Sequence, residues 1–165
     1  MTAGRGYINP TRGFLTLTET IKEISDFVKA DPGRFYRLVI GTDSQTKGVE
    51  KGHETDFVTA VVVHRQGQGA RYFWQKEKRG KVPTLRDKIY TETSLSLAAA
   101  AELVPLLRQA VSPAKYDIEI HIDVGPIGPT REMIKEVVGM VNGNGYTAKT
   151  KPESWGASSV ADRHT

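Results

Sequence analysis

The chain has 165 residues, of which 38% are hydrophobic and 25% charged, so its composition is that of one globular domain and excludes a disordered or fibrous protein. No apolar run approaches the roughly 18 residues of a bilayer span, and the first residues lack the apolar segment of a secretory signal. We therefore expect a single cytoplasmic domain over residues 1–165, without a membrane partner. The chain has no cysteine, which excludes thiolate metal sites, and its net charge of +4 slightly favours polyanionic partners.

The first half of the chain predicts an arm, a helix and three strands. Residues 1–15 carry Gly, Pro and Arg without periodicity, which predicts an extended N-terminal arm. Thr16 and Glu19 have the spacing of a capping box, and the residues after them are apolar on one helical face. The stretches FYRLVIGTD, TDFVTAVVVHR and ARYFWQKEK are rich in β-branched and aromatic residues. They predict three consecutive antiparallel strands.

The second half alternates helices with strands. A long helix is predicted from Pro83 to about Ala110, capped by Thr84. YDIEIHID is the next strand, PTREMIKEVVGMV a helix, YTAK a short strand and ESWGASSVADRHT the last helix. A helix that joins two strands implies a parallel crossover. The predicted fold is therefore α/β, with a five-stranded mixed sheet flanked by helices and an extra helix at the N-terminus.

Four acidic residues are predicted to approach one edge of this sheet. Asp43 ends the first strand and Asp123 the fourth, and parallel neighbours lie about 4.8 Å apart. Glu92 occupies a helical position where an apolar residue is expected, and Asp162 lies on the last helix. Simpler interpretations stay open, since Asp43 can cap a turn, Asp123 can be a loop acid and the two helix acids can face solvent.

Carboxylates this close together repel each other, so one must take up a proton or a cation must bind between them. Oxygen ligands with several waters are the surroundings that Mg²⁺ prefers. The sequence therefore predicts a site for one or two metal ions, each able to activate water or to stabilise a leaving oxygen.

This order of elements and acids resembles the ribonuclease H-like superfamily. The stretches FYRLVIGTDSQ and HIDVGPIGPTREMIKEVVGMVNGNGYTAKTKPESWGASSVADRHT are similar to the YkuK-like family of uncharacterised ribonuclease H-like proteins. The resemblance implies a sheet of order 3-2-1-4-5, Mg²⁺ or Mn²⁺ as cofactor, and hydrolysis of a phosphodiester bond by a metal-activated water. It also implies that the metal ligands are Asp43, Glu92, Asp123 and Asp162.

Other residues are candidates for supporting roles in such a site. Ser44 and Gln45 follow the first acid and would orient the attacking water or contact the nucleic-acid backbone. His164 follows the last acid and is a candidate proton shuttle, with a mobile terminal histidine as the alternative.

A basic and aromatic stretch, RYFWQKEKRGKVPTLRDK, predicts a nucleic-acid contact surface. Its candidate contacts are Lys76, Lys78 and Arg79. The alternative is that the aromatic residues alternate into the core and the basic residues protect a sheet edge.

Three functions remain open on these grounds. The first is a metal-dependent nuclease acting on RNA, an RNA–DNA hybrid or DNA. The second is a non-catalytic nucleic-acid-binding module on the same fold. The third is a protein-interaction domain or homo-oligomer, since the helix that begins after Thr84 is apolar on more than one side.

Overall fold

Strands and helices follow one another through most of the chain in the computed structural model, which describes residues 5–50, 52–151, 153–154 and 156–165. Seven strands and four α-helices lie in these ranges: β1 (Gly6–Asn9), β2 (Gly13–Thr16), α1 (Leu17–Ala30), β3 (Tyr36–Val49), β4 (Gly52–Arg65), β5 (Ala70–Arg79), α2 (Leu85–Ala110), β6 (Tyr116–His121), α3 (Ile134–Gly143), β7 (Thr147–Lys149) and α4 (Gly156–His164). Short 3-10 helices precede β6 and α3. Within the described ranges no helix has both the length and the apolar character that crossing a bilayer requires.

All seven strands form one mixed sheet in the order β2-β1-β5-β4-β3-β6-β7, so the prediction of five strands is wrong. The run from β5 to β7 has the order 3-2-1-4-5 that the family resemblance implies. The two extra strands lie within residues 6–16, so the described part of residues 1–15 is not the predicted extended arm. They pair as an antiparallel hairpin, and β1 joins β5 where Ile8 lies opposite Trp74.

Turn residues explain this N-terminal hairpin. Asn9 accepts hydrogen bonds at its Oδ1 from the backbone N–H groups of Thr11 and Arg12, both at 2.9 Å. Gly13 has a φ of 75°, a conformation that glycine adopts without strain. Tyr7 and Leu15, one on each strand, are buried in the core. Each strand has only four residues, which is too short for the alternation of polar and apolar residues to stand out in the sequence.

Strand β3 lies between an antiparallel and a parallel neighbour. It pairs with β4 along its full length, from Tyr36 to Val49. It pairs in parallel with β6, from Tyr36 opposite Tyr116 to Gly41 opposite His121. The predicted parallel pairing of the first and fourth strands is therefore confirmed. The prediction that Asp43 ends the first strand is wrong, because β3 continues to Val49 in its pairing with β4, and only β6 ends at the edge of the sheet next to Asp43.

Helices cover both faces of the sheet. The capping box of Thr16 and Glu19 opens α1, and the Thr84 hydroxyl caps α2, as predicted. Helices α1, α2 and α3 share one large apolar core with one face of the sheet. Helix α4 lies on the opposite face, which we call the α4 face. Its contact there is a smaller apolar cluster of Val39, Val58, Ala60, Ala157 and Ala161.

Candidate functional site

The two strand acids occupy equivalent positions beyond the end of the parallel pairing. The last paired residues are Gly41 on β3 and His121 on β6, and Asp43 and Asp123 each follow two residues later. Both side chains are partly buried. Their equivalence follows from the parallel register, because equal steps along neighbouring strands reach the same edge.

Glu92 approaches this edge from α2. Its side chain is buried, and Ser44 of β3 donates a hydrogen bond from its Oγ to Glu92 Oε2. One turn later on the same helix, the hydroxyl of Ser96 lies 2.7 Å from that of Thr42. Alternate residues of β3 thus hold two successive turns of α2 through polar contacts. This explains why a helix buried against a sheet carries a glutamate and a serine on its inner side.

The pKa of the Glu92 carboxyl lies far above that of an ordinary glutamate. This pKa is raised to about 8, mainly by burial and also by the charges of Asp43 and Asp123, against the opposing effects of the Ser44 hydrogen bond and Lys88. The charge effects indicate that the three acids lie near one another. Glu92 and Asp123 also line the same narrow crevice, together with His121. A titratable group shifted by burial and by specific neighbouring charges is typical of a functional site.

A basic residue accompanies Asp123. Lys151 Nζ lies 2.9 Å from Asp123 Oδ1, and both side chains are partly exposed to solvent. Sequence reasoning missed this lysine, because nothing in KTKPESWG connects it with an acid 28 residues earlier. Only the pairing of β6 with β7 brings the two segments together.

The fourth predicted ligand, Asp162, lies on α4, and its side chain falls outside the described ones. The backbone of α4 packs across β3 and β4 on the α4 face. Gly41 permits this close approach, because a Cβ atom at that position would come within 2.8 Å of Ala157 Cβ. The helix that carries Asp162 therefore lies directly over the strand that carries Asp43.

His164 lies over β5 rather than β3. Its ring stacks on Trp74, with the ring centroids 4.2 Å apart and 12° between the planes. Burial, and then the nearby charges of Arg163 and Lys76, lower the pKa of His164. The imidazole thus helps to hold the end of α4 on the sheet. In the sheet order, β4 separates β5, over which His164 lies, from β3, which carries Asp43. Its predicted role as a proton shuttle stays a prediction.

A second histidine forms a buried polar pair on β6. His121 Nε2 lies 2.9 Å from Glu119 Oε1, and Glu119 Oε2 lies 3.2 Å from Arg37 Nε. Burial lowers the pKa of His121, opposed by the hydrogen bond to Glu119. Alternation along the strand gives no sign of this pair, because Glu119 reads as an exposed residue in the sequence YDIEIHID.

The predicted nucleic-acid contacts fall into different environments. Ser44 is buried against Glu92, whereas Gln45 is exposed. Lys76 Nζ lies 4.0 Å from Asp56 on β4, and Lys78 Nζ lies 3.6 Å from Glu54. Arg79 pairs with Glu77 on its own strand.

The acids offer only oxygen ligands, which suit Mg²⁺ or Mn²⁺ rather than a soft metal. Among the described side chains, no group of three or more acids or histidines has the geometry of a metal site. Asp162, whose side chain is not among them, would be the fourth oxygen donor. The donor chemistry and the effect of the strand acids on Glu92 fit a divalent cation, while the Lys151 ammonium lies against Asp123 where a ligand oxygen would be needed.

Comparison with known proteins agrees with this fold. The family model described as "Ribonuclease H-like" matches residues 19–165. The chain is also similar to "Uncharacterized protein YkuK" of Bacillus subtilis (strain 168), with 34% identity over 172 residues that cover 96% of this chain and 96% of the relative. No solved structure matches the chain. The matched residues run from α1 to the end of α4 and include all four predicted acids, so the chain belongs to the ribonuclease H-like family, as its resemblance to the YkuK-like proteins predicted.

Proposed function

We propose that this protein is a metal-dependent nuclease that hydrolyses phosphodiester bonds of RNA, an RNA–DNA hybrid or structured DNA. The observation that supports this most is the state of Glu92, a buried carboxyl whose pKa is raised to about 8 by burial and by the neighbouring acids Asp43 and Asp123. Such an arrangement is costly for a purely structural site, where an apolar or hydroxyl side chain would pack as well.

A divalent cation would remove most of this cost. Asp43, Glu92 and Asp123 would hold it, with Asp162 as the fourth donor. A bound Mg²⁺ or Mn²⁺ would polarise the phosphate and lower the pKa of a water molecule. For its part, Glu92 must release its proton to become a ligand, and the Ser44 hydroxyl keeps its carboxylate oriented.

Loss of either strand acid is expected to abolish cleavage. We expect Asp43→Asn and Asp123→Asn to lower the rate at least about 100-fold, because the amide keeps the shape of the carboxylate and loses its charge. The measurement is cleavage of labelled RNA, DNA, RNA–DNA hybrid and branched DNA with Mg²⁺ or Mn²⁺. Asp117→Asn is the control, because Asp117 is an exposed acid on β6, the strand that leads to Asp123.

The outcomes separate the proposal from its rivals. Cleavage that requires the metal and is lost in both variants, but not in the control, supports the nuclease and identifies its substrate. If no substrate is cut and calorimetry detects no binding of Mn²⁺, the nuclease proposal fails. Salt-sensitive binding to an oligonucleotide would then favour the non-catalytic binding module.

The predicted basic contacts lie on different faces of the sheet. Successive residues of a strand point to opposite faces, so Lys76 shares a face with Trp74, which contacts α4. Asp43, Val58 and Lys76 lie in one row across three strands on this α4 face. Arg79 belongs to the opposite face, where its guanidinium lies 5.9 Å from the centre of the Phe57 ring. A phosphate backbone that reaches Asp43 would therefore pass Lys76 rather than Arg79.

Lys76→Ala is accordingly expected to weaken oligonucleotide binding and to reduce the salt dependence by about one counterion, because one phosphate contact is lost. Arg79→Ala removes the same charge from the other face and should change the dissociation constant less than about twofold. Fluorescence anisotropy at several salt concentrations measures both. Equal effects of the two variants would contradict a path along the α4 face.

A further inference from the structure

Lys151 is held beside the candidate site by backbone hydrogen bonds. The backbone N–H of Ile122 donates to the carbonyl of Lys149 at 2.9 Å, and that of Lys151 donates to the carbonyl of Val124 at 2.8 Å. These bonds continue the parallel pairing of β6 and β7 beyond the ends of both strands. The position of Lys151 next to Asp123 is thus set by the sheet rather than by the side chains.

A glycine leaves room for the lysine side chain. A Cβ atom on Gly125 would lie 3.0 Å from Lys151 Cβ, 3.4 Å from its Cδ and 3.7 Å from its Cγ. The side chain of Lys151 therefore runs along the backbone of Gly125 to place its ammonium 2.9 Å from Asp123 Oδ1. A Cβ atom at position 125 would therefore force the Lys151 side chain to shift by a few tenths of an ångström.

We propose that Lys151 is an internal counter-ion of the candidate metal site, which competes with a divalent cation for Asp123. The inference rests on the proposed function. In the metal-free protein the ammonium neutralises Asp123, and a cation that takes Asp123 as a ligand must displace it. The lysine side chain is 55% exposed, so the displaced ammonium can enter solvent at little cost. Lys151 therefore lowers the affinity of the site for metal ions.

The test is Mn²⁺ binding, followed by the electron paramagnetic resonance signal of free Mn²⁺, which needs no nucleic acid and no cleavage. Lys151→Met is expected to lower the dissociation constant for Mn²⁺ about twofold to fivefold, since a partly exposed ion pair is worth up to about 1 kcal/mol. Lys151→Arg keeps the charge and should bind Mn²⁺ like the wild type. Lys149→Met makes the same change in net charge on β7 and should change the dissociation constant less than twofold. Circular dichroism checks that each variant is folded.

Each result has a distinct meaning. Tighter binding of Mn²⁺ by Lys151→Met, and by no other variant, supports the role of Lys151 as a counter-ion. Equal Mn²⁺ affinity in the wild type and Lys151→Met, or weaker binding in a folded Lys151→Met, overturns it and leaves the nuclease proposal intact. Equal tightening in Lys149→Met also overturns it, because general charge would then explain the effect. If no variant binds Mn²⁺, the metal site itself is wrong, and both proposals fall together.

Discussion

Glu92→Gln is expected to raise the free energy of unfolding of the metal-free protein, and more so at alkaline than at acidic pH. The pKa of this carboxyl is about 8 in the folded protein, against 4.5 for an ordinary glutamate. Between these values the folded state holds more protons than the unfolded state, so wild-type stability falls as pH rises through this window. Glutamine has a similar shape and no charge, so the variant avoids a cost on the order of 3 to 5 kcal/mol above the folded pKa.

Urea unfolding of the wild type and the variant, at about pH 5 and about pH 9, measures this difference directly. Glu102→Gln is the control on the same helix. Glu102 is partly exposed and pairs with Arg5 at 3.3 Å, so its replacement should change stability by no more than about 0.5 kcal/mol at either pH. A gap between Glu92→Gln and the wild type that does not widen with pH would show that the carboxyl titrates normally.

Added Mg²⁺ should stabilise the wild type more than it stabilises Glu92→Gln. Mg²⁺ that binds only the folded protein stabilises it by mass action. At alkaline pH the wild type should therefore gain more stability from added Mg²⁺ than Glu92→Gln does, because the variant lacks one ligand. Equal gains in both proteins would mean that Glu92 does not take part in metal binding.

Gly41→Ala is expected to destabilise the protein by about 1 to 3 kcal/mol, and Gly41→Val by more, because both overpack a buried contact. The added Cβ would lie 2.8 Å from Ala157 Cβ and 3.3 Å from the carbonyl oxygen of His121. Strands β3 and β6 are fixed by their hydrogen bonds in the sheet, so the added atom must displace α4. Since α4 carries Asp162 and Asp43 is two residues from Gly41, cleavage should fall together with stability.

Two variants test whether the close approach of α4 to Gly41 causes this loss of stability. Gly48 lies on the same strand, and a Cβ atom added there would meet nothing within 4 Å. Gly48→Val should therefore change the free energy of unfolding by no more than about 0.5 kcal/mol. Ala157→Gly removes the atom that Gly41→Ala would strike, so the double variant should lose less stability than the sum of the single variants. Additive losses would show that Gly41 matters for another reason.

The placement of the strand acids could be predicted from local pattern and one rule of connection. Asp43 and Asp123 each follow a β-branched run, and a helical segment between two strands implies that they run parallel. Those two facts are enough to bring the acids to one edge. Glu92 could be suspected because it interrupts an apolar stripe, which is also a local signal.

The partners of these acids could not be predicted in the same way. The contact of Ser44 with Glu92 depends on the docking of α2 over β3, and that of Lys151 with Asp123 on the register of β7. His164 reads as a terminal residue in the sequence, yet it stacks on Trp74. Each contact joins segments far apart in the chain, and side-chain types alone do not specify which of many pairings forms.

The sequence by itself determined the class of fold, the order of its main elements, the two helix caps and the position of the strand acids, because these depend on interactions within a few residues or on general rules of chain connection. The tertiary structure decided the rest: the two added strands, the close contact of α4 at Gly41, the raised pKa of Glu92 and the lysine beside Asp123. These features depend on burial and on strand register, and both arise only when distant segments pack together.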